Sequence, residues 1–260
     1  MLISYPLSLI YKCMFSNKII FWFKLHYPVL IVLTLATALR INLLFVRGTW
    51  WFDEMFSVHY SLLPWGTAIK YWLLETNPFL YNLVLRGWIN FFGQGETMVR
   101  IPSLIFGLIT IAFVYYLGYK LISHRAAIVS SLIVSLSGIH VFVSTETRTY
   151  ALFVLLTTLS FYWFIKIFVE QKISRWTWPL FFLTQVALLY AHLTALTVIV
   201  IQVLALVYFK MDSATRKKLL LTQFFSLLIW SLWFVPSLLP KLNTRSLYGW
   251  FFTFNSESSN

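Results

Sequence analysis

The stretch IPSLIFGLITIAFVYYLGYKL at residues 101–121 decides the fold class, because it is long and apolar and its one charge, Lys120, lies near its end. A helix needs roughly 20 mostly apolar residues to cross a bilayer. Similar runs occupy residues 19–39, 126–143, 151–169 and 219–239. Residues 178–209 are too long for one span and are interrupted at residues 190–192, which predicts a helical hairpin. The sequence therefore predicts an all-α polytopic integral membrane protein with about seven transmembrane helices.

The composition supports this prediction and excludes other classes. Hydrophobic residues make up 60% of the chain and charged residues 11%, whereas soluble domains are about a quarter charged. The single cysteine, Cys13, rules out an intramolecular disulfide framework and a cysteine-based metal site. The net charge of +12 is scattered between apolar runs, and the chain has no glycine-rich phosphate loop. We therefore expect membrane lipids as partners and no nucleic acid.

The positions of the basic residues predict the orientation in the membrane. Cytoplasmic loops carry an excess of Lys and Arg. With the N-terminus inside, 12 of the 20 basic residues lie on the cytoplasmic side: Lys12, Lys18, Lys24, Lys120, Arg125, Lys166, Lys172, Arg175, Lys210, Arg216, Lys217 and Lys218. This predicts a cytoplasmic N-terminus at residues 1–18, a transmembrane domain at 19–240 with a first outer loop at 41–99, and an outer loop or tail at 241–260.

The first outer loop contains a helical pattern of its own, NPFLYNLVLRGWINFFG at residues 77–93. Asn82, Arg86 and Asn90 recur every four residues, while apolar side chains fill the other positions. This pattern favours an amphipathic helix that lies in the outer membrane interface. The alternative is a short span whose polar stripe faces other helices.

Two adjacent carboxylates stand out in the same loop. Asp53 and Glu54 lie among aromatic residues in TWWFDEMFS at residues 49–57, although the chain has only eight acidic residues. Adjacent carboxylates can differ in role, one acting as a base while the other accepts hydrogen bonds or binds a cation. The simpler alternative is that the pair only solvates the loop.

Further polar residues follow on the same predicted side. Glu75 and Asn77 precede the amphipathic helix, and Asn77 with Pro78 is typical of a helix start, with Asn as N-cap and Pro at the first helical position. His192 lies at the predicted hairpin turn. Each of these residues can bind a substrate or serve only the structure, Glu75 as an exposed acid and His192 as a hydrogen-bonding partner.

The connection STETRTYALF at residues 144–153 is a third polar site at the outer end of a span. Glu146 and Tyr150 are four residues apart and can share a helix face, whereas Arg148 points elsewhere. Ionisable groups at such a position are expensive unless they are paired or functional. An arginine fork suits a phosphate oxygen, so Arg148 is a candidate phosphate ligand. The alternative is a Glu146–Arg148 ion pair that holds the loop.

The order of these motifs resembles a known family. WFDEMFS after the first span, the amphipathic segment, and then RIPSLIFGLITIAFVYYLGYKL through STETRTYALFVLL are similar to GT-C membrane glycosyltransferases. More narrowly they resemble the bacterial family-39-like group, related to protein O-mannosyltransferases and to aminoarabinose and Rgt-like transferases. The resemblance covers roughly residues 20–240 and implies a GT-C-like fold.

The resemblance also implies an activity. Such enzymes transfer a sugar from a polyprenyl-phosphate carrier to a lipid, glycan or protein acceptor hydroxyl at the outer face of the plasma (inner) membrane, with inversion. By motif match Asp53 is the general base and Glu54 its neighbour, and Glu146, Glu75, Asn77 and His192 join Arg148 as candidate substrate-binding residues. No cofactor is firmly implied, although a divalent cation stays open, and no metal ligand can be named.

The sequence departs from the pattern of the group at two points. Relatives commonly carry His-Pro-Pro where this chain has Asn77-Pro78-Phe79, and they usually continue with more spans and an outer domain. The chain is therefore expected to resemble only the N-terminal part of such an enzyme. Two alternatives to an active transferase remain: a catalytically inactive fragment, or a lipid-linked-sugar transporter or assembly subunit. A transporter would carry its ionisable residues near the middle of the membrane.

Overall fold

The computed structural model describes residues 7–171, 173–208 and 212–243, and every regular element in those ranges is helical. A short 3-10 turn at Met98–Arg100 leads into the fifth helix. Within the described ranges the α-helices are α1 (Leu7–Val46), α2 (Phe52–Leu62), α3 (Trp65–Leu74), α4 (Leu80–Phe92), α5 (Ile101–Leu121), α6 (His124–Leu136), α7 (Gly138–Val143), α8 (Tyr150–Phe168), α9 (Thr177–Ala191), α10 (Ala195–Ala205) and α11 (Ser213–Asn243).

Four helical stretches of the described chain are long and apolar enough to cross a membrane: Tyr27–Val46, Met98–Leu121, Tyr150–Phe168 and Ser213–Leu238. The other three predicted spans correspond to shorter apolar helices, α6 with its continuation α7, and the pair α9 and α10. The predicted hairpin turn is present between α9 and α10. The prediction of an all-α polytopic membrane protein is confirmed.

The predicted third span, residues 126–143, is broken into α6 and α7. Ser137 leaves the helical region with φ −59° and ψ 119°, and its side chain accepts a hydrogen bond from the His140 N–H. Breaks of this kind are common at Gly and Ser pairs, and here Gly138 follows. The break frees the carbonyl of Ser135, which accepts a hydrogen bond of 3.2 Å from Arg40.

Arg40 is fully buried in the bundle, inside the apolar stretch Tyr27–Val46, which extends beyond the predicted end of the first span at residue 39. Its Nε donates to the Ser144 hydroxyl at 2.8 Å, and a terminal nitrogen lies 2.9 Å from Nδ1 of His140. A charge in this environment is expensive unless polar groups surround it. The network therefore fixes Ser144, the residue that follows α7. Gly107 of α5 permits this approach, because a Cβ there would clash with the Cβ of Ser144.

The first outer loop holds three helices, α2, α3 and α4, where the sequence predicted one amphipathic helix. Arg86 of α4 donates to the carbonyls of Ser61 and Leu63 at the end of α2, at 3.1 and 2.6 Å. The apolar face of α4 packs through Leu85 into a buried cluster with Leu188 of α9. The polar stripe of α4 therefore includes a residue that binds the end of α2, and it does not only face solvent. Its position at the membrane interface remains a prediction.

The predicted start of α4 is wrong by two residues. The helix begins at Leu80 with Phe79 as N-cap, so Asn77 does not cap it. The ring of Phe79 stacks on Trp72 at 5.6 Å and meets Tyr190 edge-on at 5.3 Å. These aromatic contacts hold the chain in a turn, which delays the helix and leaves Asn77 free to line a polar pocket.

Four polar side chains link α8, α9, α10 and α11 inside the bundle. The Ser160 hydroxyl donates to Gln185 at 2.8 Å and accepts from Gln202 at 2.7 Å, and Gln185 donates to Gln202. Gln223 adds a bond of 2.9 Å to the same Gln202 oxygen. All four side chains are buried. Buried amides of this kind join helices in membranes, where packing has little help from the hydrophobic effect.

Replacing Gln202 by Leu is expected to lower the thermal stability of the detergent-solubilised protein. The substitution leaves the buried amides of Gln185 and Gln223 without their shared partner, and each such group costs about 1–3 kcal/mol. A thermal melt of the purified variant measures the loss. Ile201→Leu, at the exposed neighbouring position, is the matched control and should melt like the wild type. Equal melting of the Gln202→Leu protein would show that the network contributes nothing to stability.

Candidate active site

Residues 144–149, between α7 and α8, form an irregular loop in which most residues contact a different part of the fold. The hydroxyl of its first residue, Ser144, accepts a hydrogen bond from Arg40. Its last residue, Thr149, donates to the carbonyl of Ala191 at the end of α9 at 2.7 Å. Because α8 begins only at Tyr150, the predicted helical face shared by Glu146 and Tyr150 is wrong. Tertiary contacts replace the helix here, and we call this segment the 144–149 loop.

Glu54 is completely buried and belongs to an ion pair with Arg100, which is also buried. The two carboxylate oxygens accept from Nε of Arg100 at 2.9 Å and from a terminal nitrogen at 2.7 Å. One of them also accepts from the backbone N–H of Thr147 at 2.9 Å. Glu54 therefore ties the start of α2 to the start of α5 and to the 144–149 loop, and its lone pairs are largely occupied.

Glu146 is also buried, and its partner is Arg47 at the end of the first span. The ion pair is 3.0 Å long, and Arg47 donates in addition to the carbonyl of Thr145 at 2.8 Å. The alternative of a Glu146–Arg148 ion pair is therefore wrong, because Arg47 reaches Glu146 from α1. The second oxygen of Glu146 has no hydrogen-bond partner among the described residues.

The two buried carboxyls have opposite pKa shifts. Burial alone raises the pKa of Glu54, but the hydrogen bonds from Arg100 and from the Thr147 N–H outweigh it, so its pKa lies below the usual value. Burial raises the pKa of Glu146, and its single Arg47 partner offsets only part of that effect. The ionised form of Glu54 is therefore stabilised by its partners, whereas the ionised form of Glu146 is stabilised less.

Asp53 differs from both, because its side chain is 36% exposed. One carboxylate oxygen lies 3.6 Å from a terminal nitrogen of Arg148. Arg148 also donates to the backbone carbonyl of Asp53 and to the Ser57 hydroxyl, each at 3.3 Å. Nε of Arg148 is buried and has no partner in the described chain. The structure thus brings Asp53 and Arg148 together as an accessible carboxylate beside a cation with a spare donor.

A small polar pocket of about 20 Å³ opens beside Arg148. A cavity of this size holds about one water molecule. Glu75 and Asn77 line it together with Arg148, and the other lining residues are Ser57, Tyr60, Pro78, Tyr81, Asn82 and Thr149. The pocket brings Glu75 and Asn77, which are 22 and 24 positions from Asp53 along the chain, to the same arginine.

His192 lies at the turn between α9 and α10 and completes the turn rather than facing the polar pocket. Its Nδ1 accepts the Thr194 N–H at 3.2 Å and lies 2.8 Å from the Thr194 hydroxyl. Its ring packs against Tyr150 and Phe153. Burial, together with the charge of Arg148, lowers the pKa of His192, so the ring is neutral at pH 7. The hydrogen bonds favour the structural alternative for this residue.

Sequence reasoning missed Arg47 and Arg100 as members of the site. Both arginines flank spans on the predicted outer side. One signal in the sequence could have identified them. A buried Glu54 or Glu146 requires a cation as partner, and these two arginines are predicted at the same end of the bundle. In the described ranges no cluster of three or more His, Cys, Asp or Glu side chains could hold a metal ion.

A helical membrane bundle with an accessible carboxylate and an arginine at one end agrees with the class that the sequence resembled, the GT-C membrane glycosyltransferases. The family model for dolichyl-phosphate-mannose-protein mannosyltransferases matches residues 76–239, which is more than half of the chain. The chain belongs to this family. It is therefore a membrane glycosyltransferase of a family that uses lipid-linked sugar donors. Neither a curated protein nor a solved structure matches it. The match begins after Asp53 and includes the 144–149 loop.

Proposed function

We propose that this protein is an inverting glycosyltransferase that moves a sugar from a polyprenyl-phosphate carrier to an acceptor hydroxyl at the outer face of the plasma membrane. One observation carries the proposal: the accessible carboxylate of Asp53 lies 3.6 Å from a terminal nitrogen of Arg148. This transfer needs a base beside the acceptor hydroxyl and a cation beside the phosphate, and Asp53 and Arg148 are the candidates for these two roles. Their predicted position outside follows from the distribution of basic residues.

In the proposed reaction the acceptor oxygen attacks the anomeric carbon from the side opposite to the phosphate. The bond from that carbon to the phosphate oxygen breaks, which inverts the configuration. The acceptor proton passes to Asp53, and the polyprenyl phosphate leaves with the bonding electron pair. General-base assistance contributes roughly 10²–10⁴-fold to such a rate. Glu54 takes no proton in this scheme, because Arg100 and Thr147 occupy its oxygens.

Arg148 is the proposed ligand of the departing phosphate. Its guanidinium contacts Asp53 and Ser57 at 3.3 to 3.6 Å, which is long for charged hydrogen bonds, so a phosphate oxygen can compete for the same donors. Glu75 and Asn77 line the small pocket to which Arg148 and Ser57 also contribute. A carboxylate and an amide recognise sugar hydroxyls, and the pocket has room for one water-sized group. These two residues are therefore proposed to bind a single hydroxyl group of the transferred sugar.

The proposal is tested by incubating membranes that contain the full chain with a panel of labelled polyprenyl-phosphate sugars, beginning with mannose. We expect release of the sugar from at least one carrier, with the opposite anomeric configuration in the product. A nucleotide-linked form of the same sugar should not serve as donor. Retention of configuration would contradict the proposed single displacement.

Replacing Arg148 by Gln is expected to weaken binding of a polyprenyl-phosphate sugar analogue by about tenfold to a hundredfold. A charged hydrogen bond is worth about 1.5–3 kcal/mol, and about 1.4 kcal/mol corresponds to a factor of ten. Arg148→Lys keeps the charge but loses the fork, so its loss should be intermediate. Binding to the purified variants in detergent provides the measurement.

Arg47→Gln is the matched control for Arg148, because both arginines hold the same loop. The loss of Arg47 removes the Glu146 ion pair and should lower the melting temperature while donor affinity stays near the wild-type value. If Arg148→Gln instead lowers only the melting temperature, as Arg47→Gln does, then Arg148 is a loop clamp and not a phosphate ligand.

A further inference from the structure

A groove with one charged residue lies between α9 and α11, far along the chain from the 144–149 loop. Its volume is about 430 Å³, which is within the range of ligand pockets in proteins. Trp178 and Phe182 line it from α9, and Lys218, Leu221, Thr222 and Phe225 line it from α11. We call this feature the α9–α11 groove.

The α9–α11 groove is polar at one end and apolar along its length. Lys218, Leu221, Thr222 and Phe225 follow the spacing of one helix face, and Lys218 to Phe225 covers about 10 Å along the axis. The Thr222 hydroxyl donates to the Lys218 carbonyl of its own helix at 2.8 Å, so it adds little polarity to the groove. A ligand with an anionic head and a hydrocarbon chain matches this arrangement.

The end of the groove at Lys218 also favours an anion electrostatically. Trp178 is in the first turn of α9 and Lys218 in the second turn of α11, so the two helices begin at the same end of the groove. The N-terminus of α9, whose N-cap residue makes no side-chain cap, adds positive partial charge at this end. Lys218 is exposed, and among the described residues no carboxylate lies within ion-pair distance of it. Arg216 and Lys217 add exposed positive charge next to it along α11.

Asp212, the acid before the first residue of α11, offsets only one of the three positive charges of Arg216, Lys217 and Lys218. Its carboxylate accepts the Thr215 N–H at 2.8 Å and so caps the helix. Tryptophan prefers the boundary between hydrocarbon and water, and Trp178 together with the exposed Trp176 marks that boundary at the start of α9. Basic pockets between transmembrane helices on the cytoplasmic side bind anionic lipid headgroups.

We propose that the α9–α11 groove binds one anionic glycerophospholipid, with its phosphate at Lys218 and an acyl chain along Leu221 and Phe225. By the predicted orientation this lipid belongs to the cytoplasmic leaflet, on the opposite side of the membrane from Asp53. The bound lipid would bridge α9 and α11 along the groove that they line. This site is independent of the donor site proposed above.

Native mass spectrometry of the full chain in mild detergent tests the proposal, with phosphatidylglycerol and the zwitterionic phosphatidylcholine as probes. The wild type should retain phosphatidylglycerol about fivefold better than phosphatidylcholine, as expected for one lysine near an anionic headgroup. Lys218→Gln should abolish that preference. Lys217→Gln, the neighbouring lysine that does not line the groove, should preserve it. Leu221→Trp should fill the groove and reduce retention of both lipids.

Two results would overturn the proposal. If Lys217→Gln lowers the preference as much as Lys218→Gln, the attraction is a diffuse property of the basic end and not of a site. If Leu221→Trp retains both lipids like the wild type, they bind elsewhere. Because the experiment records lipid retention and not turnover, its outcome does not depend on whether the transferase proposal holds.

Discussion

Asp53→Asn is expected to reduce turnover by roughly 10²–10⁴-fold, the usual contribution of a general base. Asparagine keeps the shape of the side chain, and its amide oxygen can still accept from Arg148, so the fold and donor binding should be nearly unchanged. It cannot take the acceptor proton, however. Initial rates with a polyprenyl-phosphate sugar, together with donor affinity, separate these effects.

Glu96→Gln is the matched control for this experiment. Glu96 is an exposed acid of the same outer loop, in the connection before α5, and its loss should leave the rate unchanged. A near-normal rate for Asp53→Asn would remove Asp53 from the mechanism. A combined loss of rate and of melting temperature would instead assign it a structural role.

Glu54→Gln is expected to produce the largest loss of stability among single substitutions in this region. Removing one partner of a buried ion pair costs about 3–5 kcal/mol, because the other charge is left uncompensated. Here the remaining charge is the buried Arg100. Thermal melts of the single variants Glu54→Gln and Arg100→Gln should both show the loss, and a melt close to the wild type for either would contradict this assignment.

The double variant Glu54→Leu with Arg100→Met separates the ion pair from the volume of its side chains. Replacing a buried pair by apolar residues of similar size is often neutral, so we expect this protein to be more stable than either single variant.

Because the pKa of Glu54 is lowered in the fold, the contribution of the pair to stability is present at neutral pH and is lost as the pH falls through that lowered pKa.

The transmembrane part of the fold was predictable because bilayer thickness sets the length of each apolar run. Residues 101–121 are an α-helix with the predicted bounds, and the hairpin divides at the predicted turn, with α9 ending at Ala191. The break at Ser137 was not predicted. A serine and a glycine inside an apolar run are compatible with a continuous helix. What favours a break here is the hydrogen bond from Arg40 to the Ser135 carbonyl, a tertiary contact that the local sequence does not reveal.

The candidate site was predicted in part, since local sequence reveals residue types but not their partners. Asp53 and Arg148 were named as separate residues, and their contact joins positions 95 apart. The partners of Glu54 and Glu146 were missed for the same reason, because Arg100 and Arg47 are distant in the chain. The sequence predicted one helix in the first outer loop, where the structure has three. The helices α2 and α3 were missed because their aromatic and polar residues give no long apolar pattern.

The most direct test of the central claim is a comparison of wild type and Asp53→Asn with one donor, polyprenyl-phosphate mannose, in membranes that contain equal amounts of folded protein. Donor binding is measured in the same samples. We predict that both proteins bind the donor equally, and that only the wild type transfers mannose, with inversion. Equal transfer by both proteins would contradict the account of Asp53 as the base.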